Sequence, residues 1–358
     1  MYRVIRKNCA SACSLLFTRS NNYSSRAPPR HVAASQICKE LSENGSTSSS
    51  SRPSVLYADK QQLIFSRIND ITDKIHFRHA VAEDIDNLVA MTNEEGWWYT
   101  AFHYKVLLKL DPFAITVAAD EADTPVGFIG VCNVLPGIAY NGPFIVRKDF
   151  RGVGIGNILN KLMKELIAER NGCMDLDHDF VEHYVQKGFI HKSYKFKLYK
   201  LTVSDYCRNV NEKASKCNIV PITNKLLPFV LEYDRGIYRG LDRERILRAC
   251  LFGDSVHTVA ALCDETIKGY GSLIKSTTNT YSISTLFGDS ENVVEDILGN
   301  MLELVPNGAS LIALLVEDKQ LSKRFSRFET YFIMQRIFNK FNIETDLDRM
   351  YYVNDYML

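Results

Sequence analysis

The chain has 358 residues, of which 46% are hydrophobic and 24% charged, with a formal net charge of +1 at pH 7. That length suggests two domains, each able to bury a core of ordinary size. The near-neutral balance removes any global electrostatic case for nucleic acid or acidic partners, and no stretch approaches the ~18 apolar residues of a membrane span. The nine cysteines (Cys9, Cys13, Cys38, Cys132, Cys173, Cys207, Cys217, Cys250 and Cys263) form no C-x-x-C pair. A disulfide framework or zinc site is therefore not expected, no metal is predicted, and reduced thiols in a non-secretory compartment fit better.

Residues 1–39 carry five Arg, two Lys and no acid. Arg3, Arg6 and Lys7 cluster near one helical face, among small and Ser residues, in the manner of a mitochondrial presequence. The expected destination is the mitochondrial matrix, or the cytoplasm if this segment is only a disordered basic tail. Residues 42–54, SENGSTSSSSRPS, cannot bury a core and read as a linker. Residues 1–55 are thus set apart from the folded chain.

Folded structure is expected from near Ile75. IHFRHA reads as a strand, and Ala82–Thr92 as a helix with Ile85, Leu88 and Val89 at helical spacing. Trp98–Leu110 reads as a second helix, closed by Asp111-Pro112. FAITVAA and VGFIGVCNV are nearly continuous apolar runs, as in strands covered on both faces. IAYNGPFIVR is the next strand. It leads into R-K-D-F-R-G-V-G-I-G, then into a helix with Ile158, Leu159, Leu162, Met163, Leu166 and Ile167 on one face.

That glycine turn is the most informative part of the chain. Gly152, Gly154 and Gly156 lack a Cβ and stand at a helix start, where bare N–H groups and the macrodipole favour an anion. Arg151 adds a cation. A P-loop would need Lys-Ser/Thr where Asn157 and Ile158 stand, and a dinucleotide fingerprint would need a glycine at Asn157. What fits is R-x-x-G-x-G, met by Arg151, Gly154 and Gly156. This pattern resembles motif A of the GNAT superfamily, the Gcn5-related N-acetyltransferases. The resemblance implies that acetyl-CoA, as cosubstrate, is held through its pyrophosphate by the turn Arg151, Gly152, Val153, Gly154, Ile155 and Gly156. It also implies that backbone N–H groups near Phe144, Ile145 and Val146 polarise the thioester.

Further on, MDLDHDF and KSYKFKLYKLTV supply strands around YVQKGF, residues 184–189. The latter is similar to the family's Tyr-x-x-x-Gly-Phe. By that resemblance Tyr184 donates a proton to the leaving CoA thiolate, a sensible match of a phenol near ~10 with a thiol near ~8.5. The family often has Asn where this chain has Asp177. An acceptor amine near ~10.4 must lose a proton before attack. Glu94, Glu95, Asp175 and Asp177 are the candidate bases, with His103, His178 and His183 behind them. Trp97, Trp98 and Tyr99 are candidates for lining an acceptor pocket or for core packing.

The second half repeats the coarse order. A short strand spans 218–222 and a helix Asp242–Phe252. VHTVAALC, KGYGSLIK and TYSISTLF are strands, Glu291–Leu304 is a helix, and SLIALLV and YFIMQRIF are strands. YDRGIYRGLDRERIL, with Gly240, Asp242 and Arg243, resembles the YitH-like C-terminal acetyltransferase domain. Before the last helix stands FGDSENVVED, whose Asp289 and Glu291 repel a pyrophosphate.

The predicted fold is therefore α/β, with tandem GNAT-like domains at 74–205 and 215–358, each a twisted, mixed, largely antiparallel sheet flanked by helices. The second is degenerate. It is expected to wall off the acceptor side of the first domain, mediate a homodimer, or simply cover apolar surface. The implied function is transfer of an acetyl or other acyl group from CoA to an amine, on a small molecule or a protein, by direct attack in a ternary complex. The alternative is a non-catalytic acyl-CoA-binding or sensing protein. No nucleic acid and no membrane span enter either reading.

Overall fold

The computed structural model describes residues 74–203, 217–277, 279–317, 319 and 330–353. The expected presequence and linker lie outside them. Two compact units divide between Gly172 and Cys173.

The first unit is an antiparallel meander with helices on both faces. Its elements are β1 (His76–His79), α1 (Ile85–Glu94), α2 (Ala101–Leu110), β2 (Ile115–Ala119), β3 (Pro125–Leu135), β4 (Ile138–Val146) and α3 (Ile155–Ile167). The strands pair in the order β1-β2-β3-β4. All five residues of β2 are buried, as its unbroken apolar run requires. Face assignment follows from alternation along β3. Phe128 meets Tyr104 of α2, with ring centroids 6.0 Å apart, and Cys132 Sγ stands 3.8 Å from the Leu107 carbonyl. A Cβ at Gly127, on the other face, would stand 3.4 Å from Ile155 Cγ2 of α3. Thus α2 covers one side of β3 and α3 the other.

The expected second helix starts late. Trp98 to Thr100 are not helical, and Thr100 is the extended N-cap of α2. Its backbone N–H donates to Nδ1 of His103 at 3.1 Å, which makes that histidine part of the cap.

The second unit begins inside β5 (Asn171–Asp177) and runs through α4 (Val181–Val185), β6 (His191–Thr202), β7 (Asn218–Pro221), α5 (Leu227–Ile237), α6 (Glu244–Cys250), β8 (Val256–Cys263), β9 (Thr266–Thr277), β10 (Thr280–Gly288), α7 (Glu291–Glu303), β11 (Ser310–Val316), β12 (Thr330–Phe338) and β13 (Met350–Val353). Its strand order is β5-β12-β6-β11-β10-β9-β8-β7, with β13 also on β10. The pairing β10–β11 is parallel and the other pairings described are antiparallel, so this sheet is mixed. The strand β6, expected to close the first domain, lies instead between β12 and β11 of the later sequence. Helix α5 and strand β13 were not foreseen from the sequence.

Among the described residues of this unit two arginines are fully buried, and each is matched. Arg336 on β12 makes a two-bond pair with Asp175 on β5 (2.8 and 2.6 Å) and donates to the Tyr194 hydroxyl at 2.8 Å. Arg243 pairs with Asp234 at 3.0 and 2.8 Å, lies 3.6 Å from the Tyr238 ring centroid, and shares Asp234 with the Tyr270 hydroxyl. Bidentate geometry with extra donors is what lets such charges leave water.

Candidate active site

The site is built from the end of β4 and the start of α3. β4 carries a bulge: Ile129 pairs with Phe144 and Val131 with Asn141, so Gly142 and Pro143 together oppose Gly130. Gly130 permits this, because a Cβ there would stand only 3.3 Å from Pro143 Cδ and 3.4 Å from Gly142 Cα. Phe144 and Val146 then face the α3 side as half-buried residues, while Ile145 is buried with Phe128 on the α2 side.

After Val146 the chain makes a single turn at Lys148–Phe150 and enters the glycines. Gly152 and Gly154 have φ of +84° and +101°, which L side chains rarely adopt. A Cβ at either would meet nothing within 4 Å, so the main chain there borders open space. Gly154 is the N-cap of α3, with no side-chain cap. Its carbonyl accepts from Asn157 N at 3.0 Å and Ile158 N at 3.2 Å, which starts the helical ladder. The N–H groups of Ile155 and Gly156 precede that ladder and have no intrahelical partner. Val153, at the tip, is 70% exposed. An uncapped helix start with open space beside two left-handed glycines suits an oxyanion.

Arg151 is held in a way the sequence did not show. Its Nε donates to the Val146 carbonyl at 2.7 Å and its Nη2 to Glu95 Oε1 at 2.6 Å. Both side chains are largely buried. Arg151 thus braces the turn against the end of α1, and its charge is largely matched by Glu95. Among the polar groups of the turn, the backbone amides beside Gly152 and Gly154 are the ones left bordering open space.

The other candidates sort by environment. Glu95 is in that ion pair, whereas Glu94, the last residue of α1, is exposed. Asp175 belongs to the buried pair with Arg336. Asp177 ends β5 and accepts from Asp179 N at 3.1 Å, capping the turn that leads to α4. His103 is buried, and burial lowers its pKa to about 4, so it stays neutral near pH 7. His183 is also pushed down, by burial and then by Lys187. His178 is exposed. Trp97, Trp98 and Tyr99 are half-buried, and Tyr99 contacts the rings of His103 and Tyr104 at 5.2 and 5.8 Å.

Tyr184 is nearly buried on α4. Its carbonyl accepts from Lys187 N at 3.0 Å and Phe189 N at 3.1 Å, around Gly188 at φ +101°. The Tyr-x-x-x-Gly-Phe spacing is therefore a helix C-cap that turns Phe189 back onto the tyrosine, with ring centroids 6.1 Å apart. Lys187 Nζ lies 5.0 Å from the Tyr184 ring centroid.

The equivalent feature of the second unit is closed. Ser290 caps α7 by accepting from Val293 N, and Glu291 sits in its first turn. A Cβ at Gly288 would stand 2.6 Å from Val294 Cγ2. β10 pairs with β11 only at Thr280–Ser282, and from Thr285 to Phe287 the strand β13 bonds it instead.

Comparison with known proteins agrees with this geometry. Residues 78–189 match the family model "Acetyltransferase (GNAT) family". Those residues are a GNAT domain. No curated protein matches the chain in sequence. Among solved structures, a Pyrococcus horikoshii protein described as a candidate acetyltransferase superposes with a TM-score of 0.60 at 21% identity, over 80% of this chain and 96% of that one. A tandem GNAT protein from the clavulanic acid biosynthesis pathway gives 0.54 at 16% identity, over 74% of this chain and 98% of its own. Saccharomyces cerevisiae N-myristoyltransferase, solved with myristoyl-CoA, gives 0.56 at 11% identity, over 80% and 85%. These likenesses show the fold, tandem GNAT-like α/β. The GNAT family uses acetyl-CoA or another acyl-CoA, and its activity is acyl transfer. Among the described residues no helix is long and apolar enough to cross a membrane, and no group of three or more His, Cys, Asp or Glu is placed to hold a metal.

Proposed function

We propose that the protein is an N-acyltransferase that moves an acyl group from CoA to an amine by direct attack. The observation that carries this is the uncapped start of α3, with open space beside Gly152 and Gly154, inside the stretch that matches the GNAT family. Acyl-CoA supplies the activated thioester. The amides from Gly152 to Gly156 hold its diphosphate. The N–H groups of β4 beyond the bulge, from Phe144 to Val146, donate to the thioester oxygen as charge develops there. Tyr184 gives its phenolic proton to the departing thiolate sulfur. Glu94, exposed at the end of α1, takes the acceptor's proton through water, since Glu95 and Asp177 are engaged elsewhere. The closed start of α7 supports a second unit that holds no CoA of its own.

The test is calorimetry of the full chain with CoA and acetyl-CoA, followed by free-thiol release in a screen of amines. Tyr184→Phe should bind acetyl-CoA as wild type does and turn over at least tenfold more slowly. Unchanged turnover would remove Tyr184 from the proton step; no heat with any acyl-CoA would end the proposal.

A further inference from the structure

Asn141 lies on β4 just before the bulge, only 5% exposed. Neither its Nδ2 nor its Oδ1 has a hydrogen-bond partner among the described residues. A buried amide left this way carries the full desolvation cost of both groups. An aliphatic side chain of similar size would avoid it, so the position calls for something that bonds to it.

Register fixes where the amide faces. Gly127, Ile129 and Val131 alternate onto one face of β3, and their partners Val146, Phe144 and Asn141 share that face. In a regular strand, residues 141 and 144 would point to opposite sides. The extra residue in the Gly142-Pro143 bulge turns Asn141 onto the side of Phe144 and Val146. A Cβ at Gly172 would stand 3.4 Å from Asn141 Nδ2 and 3.1 Å from Ile167 Cγ2. The amide is thus bordered by aliphatic carbon and bare backbone.

The next step rests on the CoA reading above. With the diphosphate at Gly152–Gly156 and the thioester at Phe144–Val146, the acyl chain continues along β4 toward Asn141. The distance from Phe144 is roughly 7–10 Å at ~3.3 Å per residue, shortened by the bulge. A four- or five-carbon acyl chain and the asparagine side chain together span it. A carboxylate would be buried there against aliphatic surface and backbone, which is costly. A neutral oxygen matches an amide that both donates and accepts.

We propose that Asn141 selects the acyl group, binding a hydroxyl or keto oxygen on a short acyl chain of the CoA thioester. The test is calorimetry of the full chain with CoA, butyryl-CoA, 3-hydroxybutyryl-CoA and acetoacetyl-CoA, on wild type and Asn141→Leu. Wild type should bind at least one oxygenated ester about tenfold more tightly than butyryl-CoA. Asn141→Leu should lose or reverse that preference and bind CoA itself unchanged. Equal binding of butyryl and oxygenated esters by wild type, or the same preference in the variant, would overturn the proposal and leave a buried water as the amide's partner. Failure of CoA itself to bind would instead strike the underlying CoA reading. Should Asn141→Leu not fold, Asn141→Ala removes both amide atoms and must abolish the preference.

Discussion

At the scale of single residues, the site depends on backbone conformations that only glycine supplies cheaply. Gly154 has φ +101° at the cap of α3, so Gly154→Ala should cost ~1–2 kcal/mol of stability and set a methyl group beside the proposed diphosphate position. Denaturant melts and acetyl-CoA titration check this: affinity should fall about tenfold or more while the fold persists. His103 gives a pH signature. Its folded pKa, about 4, lies below the ordinary 6.5 because the ring is buried, so the unfolded chain binds its proton first. The stability it protects is intact above pH 6.5 and is lost as pH falls toward 4, up to roughly 3 kcal/mol. Urea melts from pH 7.5 to 4.5 should show that slope, and His103→Gln should lessen it, since His79 is lowered to about 4 by burial as well; an unaltered slope would assign the effect elsewhere. Much of the glycine turn is legible in the sequence, because Gly152, Gly154 and Arg151 are local signals. Glu95 as the partner of Arg151 was not, since the two are 56 positions apart and nothing in their spacing joins them. The orphaned amide of Asn141 was equally hidden, although Gly142-Pro143 inside an apolar strand is a bulge signal that could have been read.

At the scale of elements, buried strands announced themselves as apolar runs, and SLIALLV fits β11 residue for residue. Helix α5 is not apparent in the sequence. LPFVLEYDRGI carries Pro228 in its first turn and Gly236 near its end, and Asp234 is buried where a surface charge would be expected. Its apolar face becomes visible only when Asp234 is known to turn inward toward Arg243. Helix α2 is shorter than its periodicity suggests, because Trp98 and Tyr99 satisfy helical spacing while Thr100 starts the helix as its cap. Strands can also be tied by charge. Arg336→Met should destabilise the fold by ~3–5 kcal/mol, because Asp175 stays buried with no counter-charge. Replacing both residues, Arg336→Met with Asp175→Leu, should recover most of that loss. Equal damage from the single and double variants in chemical denaturation would mean that the pair itself, rather than the uncompensated carboxylate, holds β5 to β12.

At the scale of the whole chain, β7 to β11 of the second unit pair in sequence order, whereas β5, β6 and β12 do not. β6 lies between β12 and β11, and β5 pairs with β12, across separations that no local pattern encodes. A linear division near residue 205 therefore follows the sequence motif but cuts through the strand ladder. A fragment ending at residue 205 should be insoluble or fail to melt cooperatively, and co-expression with residues 206–358 should restore a soluble complex. A stable, sharply melting fragment would show that β5 and β6 need no later strands. The same interleaving bears on synthesis. When β6 leaves the ribosome, both strands that will flank it are still unmade, and β12 begins only at Thr330. At ordinary elongation rates that wait is on the order of 10 s, during which a long strand has neither edge covered. The nascent polypeptide should accordingly lean on chaperones that shield strand edges until translation is almost finished.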